Sequence, residues 1–202
     1  MPNISQKIYR LLIVVLFFYS IFLIYKAWQD RNVVQKEQNS IDYYFNHNNP
    51  NNGNIIRINT PVVDKNIIDY YAVLEIPKIK LKKGLMNPNS KENNVNKNIY
   101  IASNSIFPNE NTTSHIILAA HSGYDRIAYF KDLNKLAEAD IIYLYYNSQK
   151  YTYQVIKFFE ITKNGYFTYK SENVSNLYLI TCLKNTNRQV VYQANLIRVT
   201  SL

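Results

Sequence analysis

Cysteine occurs once in the sequence, at Cys182, so no disulfide can form within the chain. Glycine and proline are also scarce, with four and six residues, which excludes collagen-like repeats and Gly/Pro-rich disorder. The three histidines, His47, His115 and His121, are scattered. With one cysteine and no paired ligand spacing they fall short of a zinc set, so no metal and no cofactor is implied. No G-x-S-x-G elbow is present, which argues against a Ser-His-Asp hydrolase. The net charge of +9 permits an anionic partner. The basic residues form no stripe with interleaved aromatics, however, so nucleic acid is not the expected partner and a solvated Lys-rich surface is the simpler reading. Asparagine is abundant, mostly in loop-like stretches, and compositional bias of an AT-rich genome accounts for it.

What is present begins with an uncharged run, residues 11–25 (LLIVVLFFYSIFLIY). As a helix these 15 residues rise about 22 Å, short of a hydrocarbon core of about 30 Å. Ile8 and Tyr9 extend the span on one side, Ala27 and Trp28 on the other. Arg10 and Lys26 can snorkel, and Tyr9, Tyr25 and Trp28 suit the interface. The sequence around Tyr25-Lys26-Ala27-Trp28 is a poor cleavage site for a signal peptide. A spanning signal anchor over residues 8–28 is expected, after a short tail of residues 1–7. Lys7 and Arg10 favour a cytoplasmic N-terminus, although Lys26 and Arg31 reduce the charge asymmetry. The remainder then lies outside the cell.

Residues 29–69 are polar and Asn-rich and read as a linker. A helix can continue over 29–45, with Val33, Val34, Ile41 and Tyr44 as a weak apolar stripe. The segment 46–53 (NHNNPNNG) has linker composition, and His47 within it is expected to be solvated. From residue 70 onward the pattern changes to short apolar runs. Strands are expected over 71–77, 99–102, 114–120, 141–146, 151–159, 177–182 and 189–199, with alternation also over 78–85. Residues 147–150 read as a hairpin turn. A single helix is expected over 128–137, with Phe130, Leu133 and Leu136 on one side. This set argues an all-β sandwich or closed barrel.

Three side chains at strand ends could carry chemistry. Cys182 closes the apolar run 177–182, and a thiolate there would be a nucleophile. Arg188 opens the next run and offers a permanent charge for the thiolate or a developing oxyanion. His121 follows the apolar run 116–120 and stands among small residues, Ala119, Ala120, Ser122 and Gly123, that leave room for a substrate. His115 lies at the other end of that run, about 20 Å away in a strand, so one strand cannot bring both histidines to one site. A buried, inert cysteine, a structural histidine and a surface arginine are the alternatives for these three residues.

These residues resemble the sortase family, the cell-surface cysteine transpeptidases of Gram-positive bacteria, and most of all its class B and class D types. Tyr178-Leu179-Ile180-Thr181-Cys182 is similar to the family's T-L-x-T-C motif, with Tyr in place of the first Thr. The stretch 117–121 followed by Phe130 to Leu133 is similar to the family's histidine strand and F-x-x-L, with Ala120 where glycine usually stands. Arg188 matches the arginine at the start of the strand after the cysteine, and Arg198 is the alternative for that role. Ile76-Pro77-Lys78-Ile79 looks like the I-P-K-I stretch of the first barrel strand.

The resemblance covers residues 70–202 and implies an all-β fold with few short helices, a closed eight-stranded barrel behind one N-terminal transmembrane helix. It implies that Cys182 attacks an LPxTG-like sorting signal of a secreted protein to give a thioacyl enzyme. His121 would protonate the leaving amine and deprotonate the incoming one, an amine of a cell-wall precursor. Arg188 would position substrate or stabilise the oxyanion, and Thr181 would help hold the substrate or the arginine. Residues 159–176 correspond to the family's variable recognition loop. No D-P-[WF] lid precedes the barrel, which argues against pilin polymerisation. An L,D-transpeptidase would carry an S-H-G-C-x-R type of motif, which is absent. The non-enzymatic alternative is a membrane-anchored β domain for adhesion or scaffolding.

Overall fold

One curled sheet organises the molecule, whose computed structural model describes residues 4–48, 67–109, 113–163 and 174–202. Eight strands are ordered β2-β1-β5-β6-β8-β7-β4-β3. They are β1 (Ala72–Ile76), β2 (Leu81–Leu85), β3 (Tyr100–Ile101), β4 (His115–Ala119), β5 (Ile141–Tyr146), β6 (Gln149–Thr162), β7 (Asn176–Cys182) and β8 (Arg188–Ser201). All neighbours are antiparallel except β4 and β7, which run parallel. The barrel closes except at the seam between the edge strands β2 and β3. There the side-chain amide of buried Asn98 donates to the Gly84 carbonyl at 3.3 Å and takes the place of a ladder bond.

Strand alternation explains the core. Leu74, Ile76, Leu85, Ile101, Ile116, Leu118, Ile142, Leu144, Leu177 and Leu179 are fully buried in one cluster. Alternate residues of β4, β7 and β8 (Ile117, Tyr178 and Val191) form a second cluster on the opposite face of the sheet. Both faces of β4 and β7 are therefore covered, as expected for a parallel pair.

The structure corrects three local expectations. Residues 128–137 form no α-helix; they are turns with a single 3-10 turn at Leu133–Lys135. The buried side chains Phe130, Leu133 and Leu136 recur every three residues, which fits three residues per turn better than 3.6. The alternation over 78–85 likewise begins as a 3-10 turn, Pro77–Ile79, closed by Lys80 in the left-handed region (φ 53°). The hairpin is tighter than four residues: Tyr146 pairs with Gln149, and Asn147 and Ser148 both take positive φ (50° and 59°), the two-residue turn that matches strand twist.

Helix α1 (Ile4–Asn48) precedes the barrel as one unbroken element of 45 residues. It is long and apolar enough to cross a membrane, and none of its apolar window is buried. Its far end docks on the barrel. Ser40, Ile41 and Tyr44 are buried, the last two in a cluster with Tyr70, Val73 and Tyr145. The Tyr44 hydroxyl donates to the Tyr145 carbonyl at 2.9 Å, and the Ile68 N–H donates to Ser40 Oγ at 2.9 Å. Glu37 pairs with Lys83, which is buried. Of the expected apolar stripe, Val33 and Val34 stay exposed. The linker expected over 46–53 falls mostly outside the described residues, as do residues 164–173 of the expected recognition loop.

Candidate active site

The parallel pair β4–β7 places two of the three residues. Its register runs from His115 opposite Asn176 to Ala119 opposite Ile180. Two residues further along each chain stand His121 and Cys182, so the same register sets them at neighbouring positions on one rim of the barrel. The rim is tied beyond the last strand pair. Ala120 N–H donates to the Ile180 carbonyl at 3.2 Å, and the hydroxyl of buried Thr181 donates to the Ala120 carbonyl at 2.8 Å. Ser122 Oγ donates to the Cys182 carbonyl at 2.6 Å. His115 sits at the opposite end of β4 and belongs to no such arrangement.

Cys182 is a free, half-buried thiol. Its sulfur accepts from Gln189 Nε2 at 3.9 Å, across the β7–β8 register that pairs Cys182 with Gln189. His121 is half-buried, and its Nε2 bonds Asn96 Oδ1 at 3.0 Å. Since Oδ1 can only accept, this bond requires the proton on Nε2 and leaves Nδ1 as the base in the neutral ring. Phe130 N–H donates to the His121 carbonyl at 3.1 Å, fixing the loop that follows.

Arg188 enters the same rim as the first residue of β8, next to Gln189, and its carbonyl accepts from Leu183 N–H at 3.0 Å. Its guanidinium is exposed and pairs with Glu160 on β6 at 3.0 Å, so in this structure it does not bond the thiol. Arg198 pairs with Thr152, ten residues down β8 and about 33 Å along the strand from Arg188. Of the two arginines, only Arg188 lies at the rim of Cys182 and His121. Among the described residues no group of three His, Cys, Asp or Glu side chains gathers to hold a metal ion.

The Sortase domain family model matches residues 74–201, more than half of the chain and the entire barrel after the first two residues of β1. The chain belongs to the sortase family. The family's members are in general cysteine transpeptidases. Solved sortases share the fold. Sortase C of Streptococcus pneumoniae is 20% identical with a TM-score of 0.57, over 65% of this chain and 71% of its own. Sortase A of Listeria monocytogenes is 19% identical with a TM-score of 0.55, over 66% of this chain and 90% of its own. The sortase D5 transpeptidase of Clostridium perfringens is 18% identical with a TM-score of 0.55, over 64% and 80%. No curated protein matches the chain.

Four residues of this sortase's rim escape sequence reasoning. Asn96 lies in an Asn-rich loop whose composition hides it, 25 residues before the histidine it bonds. Glu160 sits on a strand flank with no motif. Ser122 and Gln189 directly follow His121 and Arg188, and their polar character at strand ends was the available signal.

Proposed function

We propose that this sortase is a membrane-anchored transpeptidase that cleaves an LPxTG-like sorting signal and passes the N-terminal, acyl side of the bond to a cell-wall amine. The observation that carries the reading is the parallel β4–β7 register, which sets His121 beside Cys182 inside a sortase domain. In this mechanism Cys182 Sγ attacks the carbonyl carbon of the scissile Thr–Gly bond. His121 delivers a proton to the leaving amine, and the thioacyl enzyme forms. An incoming amine loses its proton to His121, attacks the thioester and frees the thiol. Arg188 leaves Glu160 to steady the substrate or the oxyanion. Thr181 contributes through the backbone, by holding the end of β4 against β7. The substrates are secreted proteins with a C-terminal sorting signal, and helix α1 holds the enzyme on the outer face of the membrane with its N-terminus in the cytoplasm.

The test is incubation of the full-length protein, in detergent or vesicles, with a panel of LPxTG-like peptides and an amine. At least one peptide is expected to give the transpeptidation product or its slow hydrolysis, and Cys182→Ala none. Absence of product across a broad panel would favour a non-catalytic adhesion or scaffolding domain.

A further inference from the structure

We propose that the catalytic rim of this sortase rests against an anionic bilayer surface, with Tyr124 and Lys184 as its contact. The inference builds on the reading of α1 as the membrane anchor. The outer half of α1 is a strut rather than a loose tether. Ser40, Ile41 and Tyr44 are buried against the barrel, and the Glu37–Lys83 pair and the Tyr44–Tyr145 hydrogen bond lock the helix in place. A continuous helix so docked fixes the barrel's orientation on the membrane.

The contact nearest the membrane decides which face looks down. Lys26 and Trp28 mark the helix exit. Asp30, four residues past Lys26 and about 6 Å higher along the helix, pairs with Arg126 at 2.7 Å. Arg126 lies five residues after His121, in the loop whose Phe130 N–H holds the His121 carbonyl. The exposed Asp30–Arg126 pair marks the position; the buried contacts further along supply the hold.

The residue that projects from this loop has the chemistry of a headgroup layer. Tyr124 is 89% exposed, more than any other large hydrophobic side chain described. Lys184, two residues past Cys182, stands with its Nζ 4.0 Å from the Tyr124 ring centroid. The loops that follow the histidine and the cysteine thus meet in an exposed aromatic–ammonium pair. Lys131, Lys135 and Lys184 act on the Asp132 carboxylate and hold its pKa below the usual range, first through the Lys135 hydrogen bond; with Arg126 these cations outnumber the carboxylates Asp30, Asp125 and Asp132, so the patch is net positive. Tyrosine and lysine at the height of a helix exit match anionic lipid headgroups. A membrane-tethered substrate would then enter the site from the headgroup layer.

The experiment uses the full chain in vesicles of phosphatidylcholine, alone or mixed with phosphatidylglycerol, with brominated lipid as quencher. Tyr124→Trp in a Trp28→Phe background supplies the sole tryptophan. Its emission is expected to shift to the blue and to be quenched, more so with phosphatidylglycerol. Gln149→Trp in the same background, at the opposite end of the β6–β8 ladder, should show neither change. Lys184→Glu added to Tyr124→Trp should reduce the quenching. Flotation of the same samples separates the two readings. If the protein floats with the vesicles but the Tyr124→Trp variant is as unquenched as the Gln149→Trp variant, the rim contact is overturned and the anchor spared. Equal quenching with and without phosphatidylglycerol overturns the anionic contact. Protein that does not float overturns the anchor and the inference together.

Discussion

Cys182 and His121 derive their setting from polar neighbours, and each neighbour makes a separate prediction. His121→Ala should lower kcat/KM by about 10²–10⁴-fold, the range of general acid–base catalysis. Asn96→Ala removes the acceptor that keeps the proton on Nε2. It should lower kcat more than it raises KM, whereas Asn96→Asp should retain the bond and much of the rate. Arg188→Ala is expected to cost about 10²–10³-fold in kcat, as for loss of one oxyanion donor. Arg188→Lys should recover little, because an ammonium lacks the planar fork. Steady-state kinetics on an accepted peptide checks all five. At this scale the sequence was most informative where chemistry and strand ends coincide, at Cys182 and His121. It was silent on Asn96, because a side chain recruited from a distant loop leaves no periodic trace, and abundant asparagine looked like composition alone. The structure gives those asparagines individual roles: Asn93 exchanges two hydrogen bonds with the backbone of Ile101, and Asn98 bridges the barrel seam.

The elements that hold the site are β4 and β7. Leu118, fully buried in β4, anchors the strand that leads into His121. Leu118→Ala should destabilise the protein by about 2–5 kcal/mol, the range for emptying a packed site, as read by denaturant unfolding. Thr181→Ala loses the bond to the Ala120 carbonyl and should cost about 1 kcal/mol of stability, with a larger loss of turnover than of stability. Gly84 shows a different constraint: a Cβ there would collide with the Tyr70 ring, so Gly84→Ala must displace that ring from the α1 docking cluster. All eight strands lie within or beside runs whose alternation and apolarity are visible in the sequence. The misread helix over 128–137 shows the limit of the method, since a short apolar triplet spacing fits both 3-10 and α geometry until the surrounding strands fix it. The docking of α1 was also hidden. Only Ile41 and Tyr44 of its weak stripe are buried, and two residues a turn apart are too few to stand out as a face.

For the molecule as a whole, buried tyrosines set an alkaline limit. Burial, aided by the Tyr146 hydrogen bond, pushes the Tyr71 hydroxyl up to about 12, and burial pushes Tyr44, Tyr70, Tyr145 and Tyr153 up as well. In the unfolded chain these groups titrate near pH 10. The folded state therefore keeps protons that the unfolded state releases. Stability from these groups is complete below about pH 10 and is lost as pH rises toward 12 and beyond. Thermal unfolding followed by circular dichroism should show a steep fall in midpoint across that window, with the tyrosinate absorbance of the buried tyrosines appearing together with unfolding.

The central claim, that this fold exists to place a reactive thiol beside a base, is tested most directly by the intact mass of the full-length protein. It would be quenched in acid after brief exposure to an accepted LPxTG-like peptide without added amine. The account predicts an adduct equal to the N-terminal peptide fragment, located on Cys182 by fragmentation, discharged by an added amine, and slower to form in His121→Ala. Product release with no adduct at any time, and at the same rate in Cys182→Ala, would contradict it.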